Sequence, residues 1–341
     1  MLKKHLYIFL LLVVSVLLAA VIWYLVALRY HSRNVAAEAF SIKVGDSTIS
    51  ILERLEKKNL ILSDVALKVY LYRHPELKLQ AGEYSIEPHQ TARQLLAQLA
   101  KGQTVSREIS ILFREGLTLK EMQAQLTAAG YLTDGSFEKL GQTKIADLPA
   151  RLAIPSFIKL LPAEATLEGY LFPDTYRVFK DFTAEDLMAK MLDNFDKKVS
   201  ADMRTAISQS GRSFPDTVIL ASILQKEVRT EPEMRLASGV FQNRLKAGQA
   251  LQSCATLAYI LGVNKPQYSY EDTQIDSPYN TYQHTGLTPG PVSNPGLTAI
   301  DAAIHPTNSD YNYFLARPDT GETVFSKTLD EHNTAKAKYL K

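Results

Sequence analysis

The stretch VILASILQKEVRT, residues 218–230, runs an almost continuous apolar segment directly into a carboxylate. With about 3.6 residues per helical turn, Glu227 follows Leu224 and Ile223 by three and four positions and lies on their face. The segment therefore predicts a buried helix whose apolar face ends in a carboxyl group.

A carboxyl group at the edge of an apolar face is poorly hydrated, which raises its pKa and lets it hold a proton near neutral pH. Such a group can act as a general acid. The alternative is a helix-end glutamate paired with Arg229 or Arg244, and this pairing would keep Glu227 ionised. The helical pattern alone leaves both interpretations open.

The segments on either side of this helix carry recognisable start and stop residues. Ser213 or Asp216 can cap the helix itself, and Thr183 is expected to begin another helix upstream. A further helix is predicted from about Met234 to Lys246. The residues LEGYLFPDTYRV (167–178) predict two strand-like pieces joined by a turn at Pro173 and Asp174. Residues 277–296, SPYNTYQHTGLTPGPVSNPG, predict a long irregular loop, which in a compact domain is often functional.

The first half of the chain contains a weak internal repeat of an apolar strand end, a hydroxyl residue and leucines at helical spacing. It occurs in residues 42–61, 82–103 and 113–132. The hydroxyl residues Ser47, Thr91 and Thr118 are predicted to cap the helices. Two or more such units would make a small α+β module from about Phe40 to Val105.

Composition limits the class of protein. The chain has 341 residues, is 46% hydrophobic and balances 38 basic against 36 acidic residues. This length suggests two or three modules, and the balanced charge lacks the bias of a dedicated nucleic-acid binder. A single cysteine, scattered histidines and the lack of a phosphate-binding loop or dinucleotide motif lead us to predict no metal and no cofactor.

The amino terminus contains an uncharged run from Leu6 to Leu28, between Lys4 and Arg29. A run of this length can cross a hydrocarbon layer of about 30 Å. The alternatives are a cleaved signal peptide or a buried helix of a soluble core, but the run is longer than a usual signal-peptide apolar region. We predict an uncleaved anchor with the amino terminus in the cytoplasm and the remaining chain outside.

Six motifs in this order resemble the MltG or YceG-like family of endolytic murein transglycosylases. They are LEGYLFPDTY (167–176), ASILQKE (221–227), VFQNRL (240–245), LQSCAT (251–256), SPYNTYQHTGLTPGPVSNPG (277–296) and AAIHP (302–306). The resemblance implies that Glu227, the glutamate of the Lys-Glu pair, is catalytic. Cys254 and Ala255 stand where many members have Asp-Pro, so no acidic role is expected there.

The resemblance also implies a reaction. Glu227 would protonate the glycosidic oxygen leaving MurNAc and then take the proton of the sugar's own C6 hydroxyl. The products are 1,6-anhydroMurNAc ends on nascent strands, whose elongation is terminated. No metal and no cofactor take part. Expected contacts to the sugar come from Asn243, Gln252, Ser253, Tyr279, Asn280, Thr281 and Tyr282.

The expected architecture is α+β in four parts. Residues 1–33 form a short cytoplasmic tail and a transmembrane anchor, and 34–105 a LysM-like subdomain. Residues 106–160 form a connecting α/β region, and 161–341 the catalytic domain. Expected partners are peptidoglycan glycan strands and the cytoplasmic membrane. The resemblance is compatible with docking to penicillin-binding proteins, and no nucleic-acid partner is expected.

Two other functions remain open from the sequence. A hydrolytic muramidase would need a second carboxylate, for which the candidates are Glu231, Glu233, Asp272 and Asp276. A non-catalytic glycan-binding scaffold of the cell-wall synthesis machinery would need no acid at all.

Overall fold

The computed structural model describes residues 2–30, 37–102, 108–265 and 267–340. The chain divides into two compact units, residues 1–108 and 109–341. Both combine helices with pairs of short strands, so the predicted α+β class is confirmed.

The first unit begins with helix α1 (Leu2–Arg29). Its segment Lys4–Arg29 is long and apolar enough to cross a membrane, which makes it a candidate span. The last turn of α1 packs against the rest of the unit, and Leu28 is part of the hydrophobic core there.

The remainder of the first unit follows the order strand, helix, helix, strand, helix. Strands β1 and β2 pair antiparallel, with Phe40 opposite Tyr84, and both side chains are buried. The predicted caps Ser47 and Thr91 are confirmed, because each side chain accepts a hydrogen bond from an amide in the first turn of its helix. The elements are β1 (Glu38–Ile42), α2 (Thr48–Lys57), α3 (Asp64–Arg73), β2 (Gly82–Ile86) and α4 (Ala92–Lys101).

The second unit is built mainly from helices, with two separate pairs of strands. Strand β3 pairs with β4, and β5 pairs antiparallel with β6. The elements are β3 (Glu108–Leu112), α5 (Leu119–Ala128), α6 (Ser136–Gly141), β4 (Thr175–Phe179), α7 (Ala184–Lys198), α8 (Ala201–Gln209), α9 (Phe214–Glu227), α10 (Glu231–Lys246), α11 (Cys254–Leu261), α12 (Tyr270–Thr273), α13 (Leu297–Ile304), β5 (Tyr313–Ala316), β6 (Thr323–Ser326) and α14 (Leu329–Tyr339).

Helix α9 lies at the centre of the second unit. Every residue from Thr217 to Leu224 is buried, and the helix packs against α8, α10, α11 and α13. Ser213 is its cap, since the Ser213 hydroxyl accepts a hydrogen bond from the Asp216 amide at 3.1 Å. A helix buried on all sides holds its end firmly, and the residue at that end is Glu227.

Other local predictions had mixed outcomes. Thr118 and Thr183 cap α5 and α7 as predicted. Helix α10 begins at Glu231 rather than near Met234, because Thr230 and Glu233 form a capping box ahead of the apolar residues.

The first strand-like piece, residues 167–172, was predicted wrongly. These residues form buried turns, and the amides of Gly169 and Leu171 donate to Oδ1 of Asn294 at 2.9 and 3.0 Å instead of to a neighbouring strand. Gly169 has φ +88°, and a Cβ there would lie 2.4 Å from Pro291, so glycine is required.

Candidate active site

A cleft of about 600 Å³ opens in the second unit at the end of α9. Its walls come from α10, the segment 251–255, the start of α11, strand β5 and helix α14. Glu227 lies in this cleft, where its side chain is half-buried. The apolar helix therefore delivers its carboxyl group to a concave surface large enough for a small ligand.

One oxygen of the Glu227 carboxyl accepts two hydrogen bonds. The Ser253 hydroxyl donates to Oε1, and the Ala255 amide donates to the same oxygen at 3.0 Å. Ala255 lies in the first turn of α11. Backbone amides there have no acceptor within the helix, and the helix dipole favours a negative charge nearby. Neither of these two donors binds the second carboxyl oxygen, Oε2, so Oε2 can carry the proton of the neutral acid.

Burial raises the pKa of Glu227, and the hydrogen bonds from Ser253 and from the Ala255 and Cys254 amides oppose this rise only in part. Within the described parts of the chain, no Lys, Arg or His nitrogen forms an ion pair with Glu227. The predicted alternative, pairing with Arg229 or Arg244, is therefore wrong. The surroundings of Glu227 therefore favour its neutral form more than water does.

The irregular loop of residues 277–296 holds Ser253 in place through Thr281. Its amide donates to Oγ1 of Thr281 at 3.0 Å, and the Gln252 amide donates to the carbonyl of Thr281, also at 3.0 Å. Thr256 contacts the Thr281 hydroxyl at 3.0 Å. The loop thereby sets the position of the hydroxyl that faces Glu227.

The structure divides the predicted sugar-binding residues into two groups. Three of them line the cleft with Glu227: Gln252, Ser253 and Tyr282. The Tyr282 hydroxyl lies 3.3 Å from the thiol of Cys254, another residue that lines the cleft.

The other four lie outside the cleft. Asn280 and Thr281 are 0% and 2% exposed, and the Asn280 amide group donates to the carbonyls of Thr273 and Ile275. The Asn243 amide group donates to the carbonyls of Ser309 and Tyr311, and Tyr279 packs on Tyr259 beside a separate cavity. In this geometry none of these four side chains lines the cleft that contains Glu227. For Asn243, Asn280 and Thr281, the hydrogen-bonding capacity on which the prediction rests is used inside the protein.

The sequence patterns missed one wall of the cleft. Helix α14 contributes Leu329, His332, Asn333 and Lys336, and Leu340 follows at its end. Their spacing of three and four positions would have identified a single helix face. No motif marked this terminal segment as part of the site.

Glu227 is the only aspartate or glutamate among the described residues that line the cleft. The four candidates for a second carboxylate lie elsewhere. Glu231 pairs with Arg235, Glu233 accepts the Thr323 amide, and Asp272 pairs with Lys265. Asp276 is exposed outside the cleft. No group of three or more potential ligands in the described part of the chain is arranged to hold a metal ion.

Comparison with known proteins points to one family. The model of the YceG-like family matches residues 40–338. The chain is 33% identical over 312 residues to the endolytic murein transglycosylase of Bacillus subtilis, covering 88% of this chain and 84% of the relative. It is 31% identical over 320 residues to the protein of the same name from Streptococcus pneumoniae, and there it spans 58% of the relative's length. A crystal structure of a YceG-like protein from Listeria monocytogenes superposes with a TM-score of 0.59 at 31% identity, covering 88% of this chain and 99% of that one.

Proposed function

This chain belongs to the YceG-like family, and on that premise we propose that it is an endolytic murein transglycosylase with Glu227 as its single catalytic carboxyl group. The substrate is the glycan strand of peptidoglycan. The bond broken is the β-1,4 linkage between MurNAc and GlcNAc, and the product carries a 1,6-anhydroMurNAc end.

The reaction requires one group that gives up a proton and then takes one back. Glu227 donates the proton on Oε2 to the glycosidic oxygen, the bond from MurNAc C1 to that oxygen breaks, and positive charge develops at C1. The C6 hydroxyl oxygen of the same sugar bonds to C1, and its proton passes to the Glu227 carboxylate. Atoms and charges balance without water, and the enzyme returns to its starting state.

The surroundings of Glu227 support both halves of this cycle. Burial favours the neutral acid before the reaction, because a charged carboxylate is poorly solvated there. The Ser253 hydroxyl and the Ala255 amide stabilise the carboxylate once the proton has left. Burial thus favours the neutral form and the two donors favour the charged form, and each form is needed in one half of the cycle.

The single observation that carries the proposal is that Glu227 is the sole carboxyl among the described cleft-lining residues. Hydrolytic glycosidases that use water generally need two carboxyl groups flanking the bond. A transglycosylase does not, because its nucleophile belongs to the substrate.

We further propose that the chain is attached to a membrane. Helix α1 anchors the chain in the cytoplasmic membrane with its amino terminus inside, and the second unit works outside. The β1–α2–α3–β2 order of the first unit supports a LysM-like subdomain that binds glycan strands. Penicillin-binding proteins are candidate partners at that location.

The test is digestion of purified glycan strands by the full-length chain in detergent, followed by mass analysis of the new ends. We expect ends lighter by one water molecule than reducing ends, and loss of product in the Glu227→Gln variant. Glu231→Gln is the matched control, since Glu231 is an exposed glutamate at the start of α10 that does not line the cleft. Reducing ends alone would identify a muramidase. No cleavage by the wild type, with retained glycan binding, would identify a scaffold.

A further inference from the structure

The cleft around Glu227 has a basic wall, which we define as Arg244, His332 and Lys336. The Arg244 guanidinium lies 5.0 Å from the centroid of the Tyr313 ring, and the His332 ring stacks on the same tyrosine at 5.2 Å. Lys336 lies one turn beyond His332 on the cleft-lining face of α14. Three side chains that can carry positive charge thus converge on one side of the proposed catalytic acid.

Arg244 has only uncharged partners within the protein. Its Nε donates to the Asn312 carbonyl at 2.8 Å and its Nη1 to the Leu251 carbonyl at 2.9 Å. The residue is 8% exposed, and burial lowers the pKa of its guanidinium. A desolvated cation without a counter-charge is costly, so this position favours an anion.

Lys336 also lacks a carboxylate partner in the described part of the chain, although it is exposed. Two other cations at or near the cleft are paired: Lys265 with Asp272 at 2.8 Å, and Arg317 with Asp319 at 2.7 Å. The pKa of His332 is lowered by burial and by the positive charges of Lys336 and Arg244. The basic wall therefore carries a local excess of positive charge that the fold does not neutralise.

Apolar surface flanks the charges on α14. Leu329 and Leu340 are 53% and 38% exposed, and both line the cleft on the same helix face as Lys336. A ligand that combines a negative group with short aliphatic parts would match this face. A neutral sugar ring would leave the cations uncompensated and the leucines uncovered.

We propose that the basic wall binds a carboxylate of the stem peptide attached to the MurNAc residue whose glycosidic bond meets Glu227. The inference rests on the proposed function, because murein supplies both the sugar and the peptide. It makes Arg244 and Lys336 specificity-determining residues that hold the peptide-bearing sugar against the acid. Strands with peptides would be cut more efficiently than strands from which the peptides have been removed.

The test measures binding without catalysis, using full-length Glu227→Gln in detergent. The probes are a soluble disaccharide-peptide with free carboxylates and the same molecule with its carboxylates amidated. We expect the free-carboxylate probe to bind about ten-fold more tightly than the amidated probe. Adding Lys336→Met should remove most of that preference. Lys338→Met is the matched control, because Lys338 is exposed on the same helix but lies outside the cleft.

Equal affinity for the two probes, or equal effects of Lys336→Met and Lys338→Met, would overturn the proposal. Thermal unfolding of both variants checks that neither substitution disturbs the fold. Cleavage by the wild type is followed separately on strands with and without peptides. If anhydro ends form equally well on both, the proposed function stands and this inference fails. If the carboxylate preference is found but no strand is cut, the proposed function fails instead.

Discussion

The Ser253 hydroxyl donates a hydrogen bond to Oε1 of Glu227, joining the segment before α11 to the last residue of α9. Ser253 is 3% exposed, and its own amide is held by Thr281. A buried, well-positioned donor on a proposed catalytic carboxyl group adjusts its acidity directly.

Replacing Ser253 by alanine should slow strand cleavage about ten-fold or more, because a hydrogen bond to a charged group contributes roughly 1.5–3 kcal/mol. The bond lowers the pKa of Glu227, so its loss should also move the alkaline limb of the pH–rate profile to higher pH. Initial rates over a pH series measure both effects. Ser208→Ala, at an exposed position on α8, serves as control. An unchanged profile in Ser253→Ala would show that the contact does not adjust the acid.

The wild-type pH dependence should reflect a carboxyl group titrating above its ordinary value of 4.5. Glu227 must be protonated to donate, so activity should be high below its raised pKa and fall as the pH rises through it. The measurement is the initial rate of formation of anhydro ends across the acid and neutral range. Half-loss of activity near pH 4.5 would contradict a poorly solvated acid.

Asn294→Ala should lower the unfolding temperature strongly. Asn294 is fully buried, and its side chain accepts from the amides of Gly169 and Leu171 while donating to the Leu117 carbonyl and to Glu168. Alanine would leave these groups unpaired, at a cost of about 3–5 kcal/mol. Thermal unfolding followed by circular dichroism measures the loss.

The control for this substitution is Asn308→Ala, at an exposed position in the same unit. Similar unfolding temperatures for the two variants would mean that the contacts of Asn294 do not hold these segments together.

Glu168→Gln should remove a pH dependence of stability. Burial raises the pKa of Glu168 to about 8, against the hydrogen bonds from Leu119 and Asn294. A carboxyl group whose pKa is raised on folding contributes stability at low pH, and this contribution is lost as the pH rises through the folded value. From about pH 5 to pH 9, the wild type should therefore lose stability relative to Glu168→Gln.

Unfolding temperatures of both proteins over this range provide the test, with the exposed Glu164→Gln as control. Parallel curves for wild type and Glu168→Gln would show that Glu168 is ionised throughout.

Local patterns predicted much of the fold. The hydroxyl caps of α2, α4, α5, α7 and α9 follow from side-chain chemistry within one turn, and such short-range interactions can be identified from the chain alone. The strand prediction for residues 167–172 was wrong for the opposite reason. Their amides bind Asn294, more than 120 positions away, and no local pattern reveals such a partner.

The sequence by itself determined where the acid lies on its helix, because helical periodicity places Glu227 on the same face as Leu224 and Ile223. Only the tertiary structure decided how that acid is surrounded. Ser253 and Ala255 reach Glu227 from α11 and the segment before it, the cations Arg229 and Arg244 do not, and α14 closes the cleft with Lys336. A carboxyl group's pKa depends on every dipole and charge within a few ångströms, and long-range packing alone determines which of them come that close.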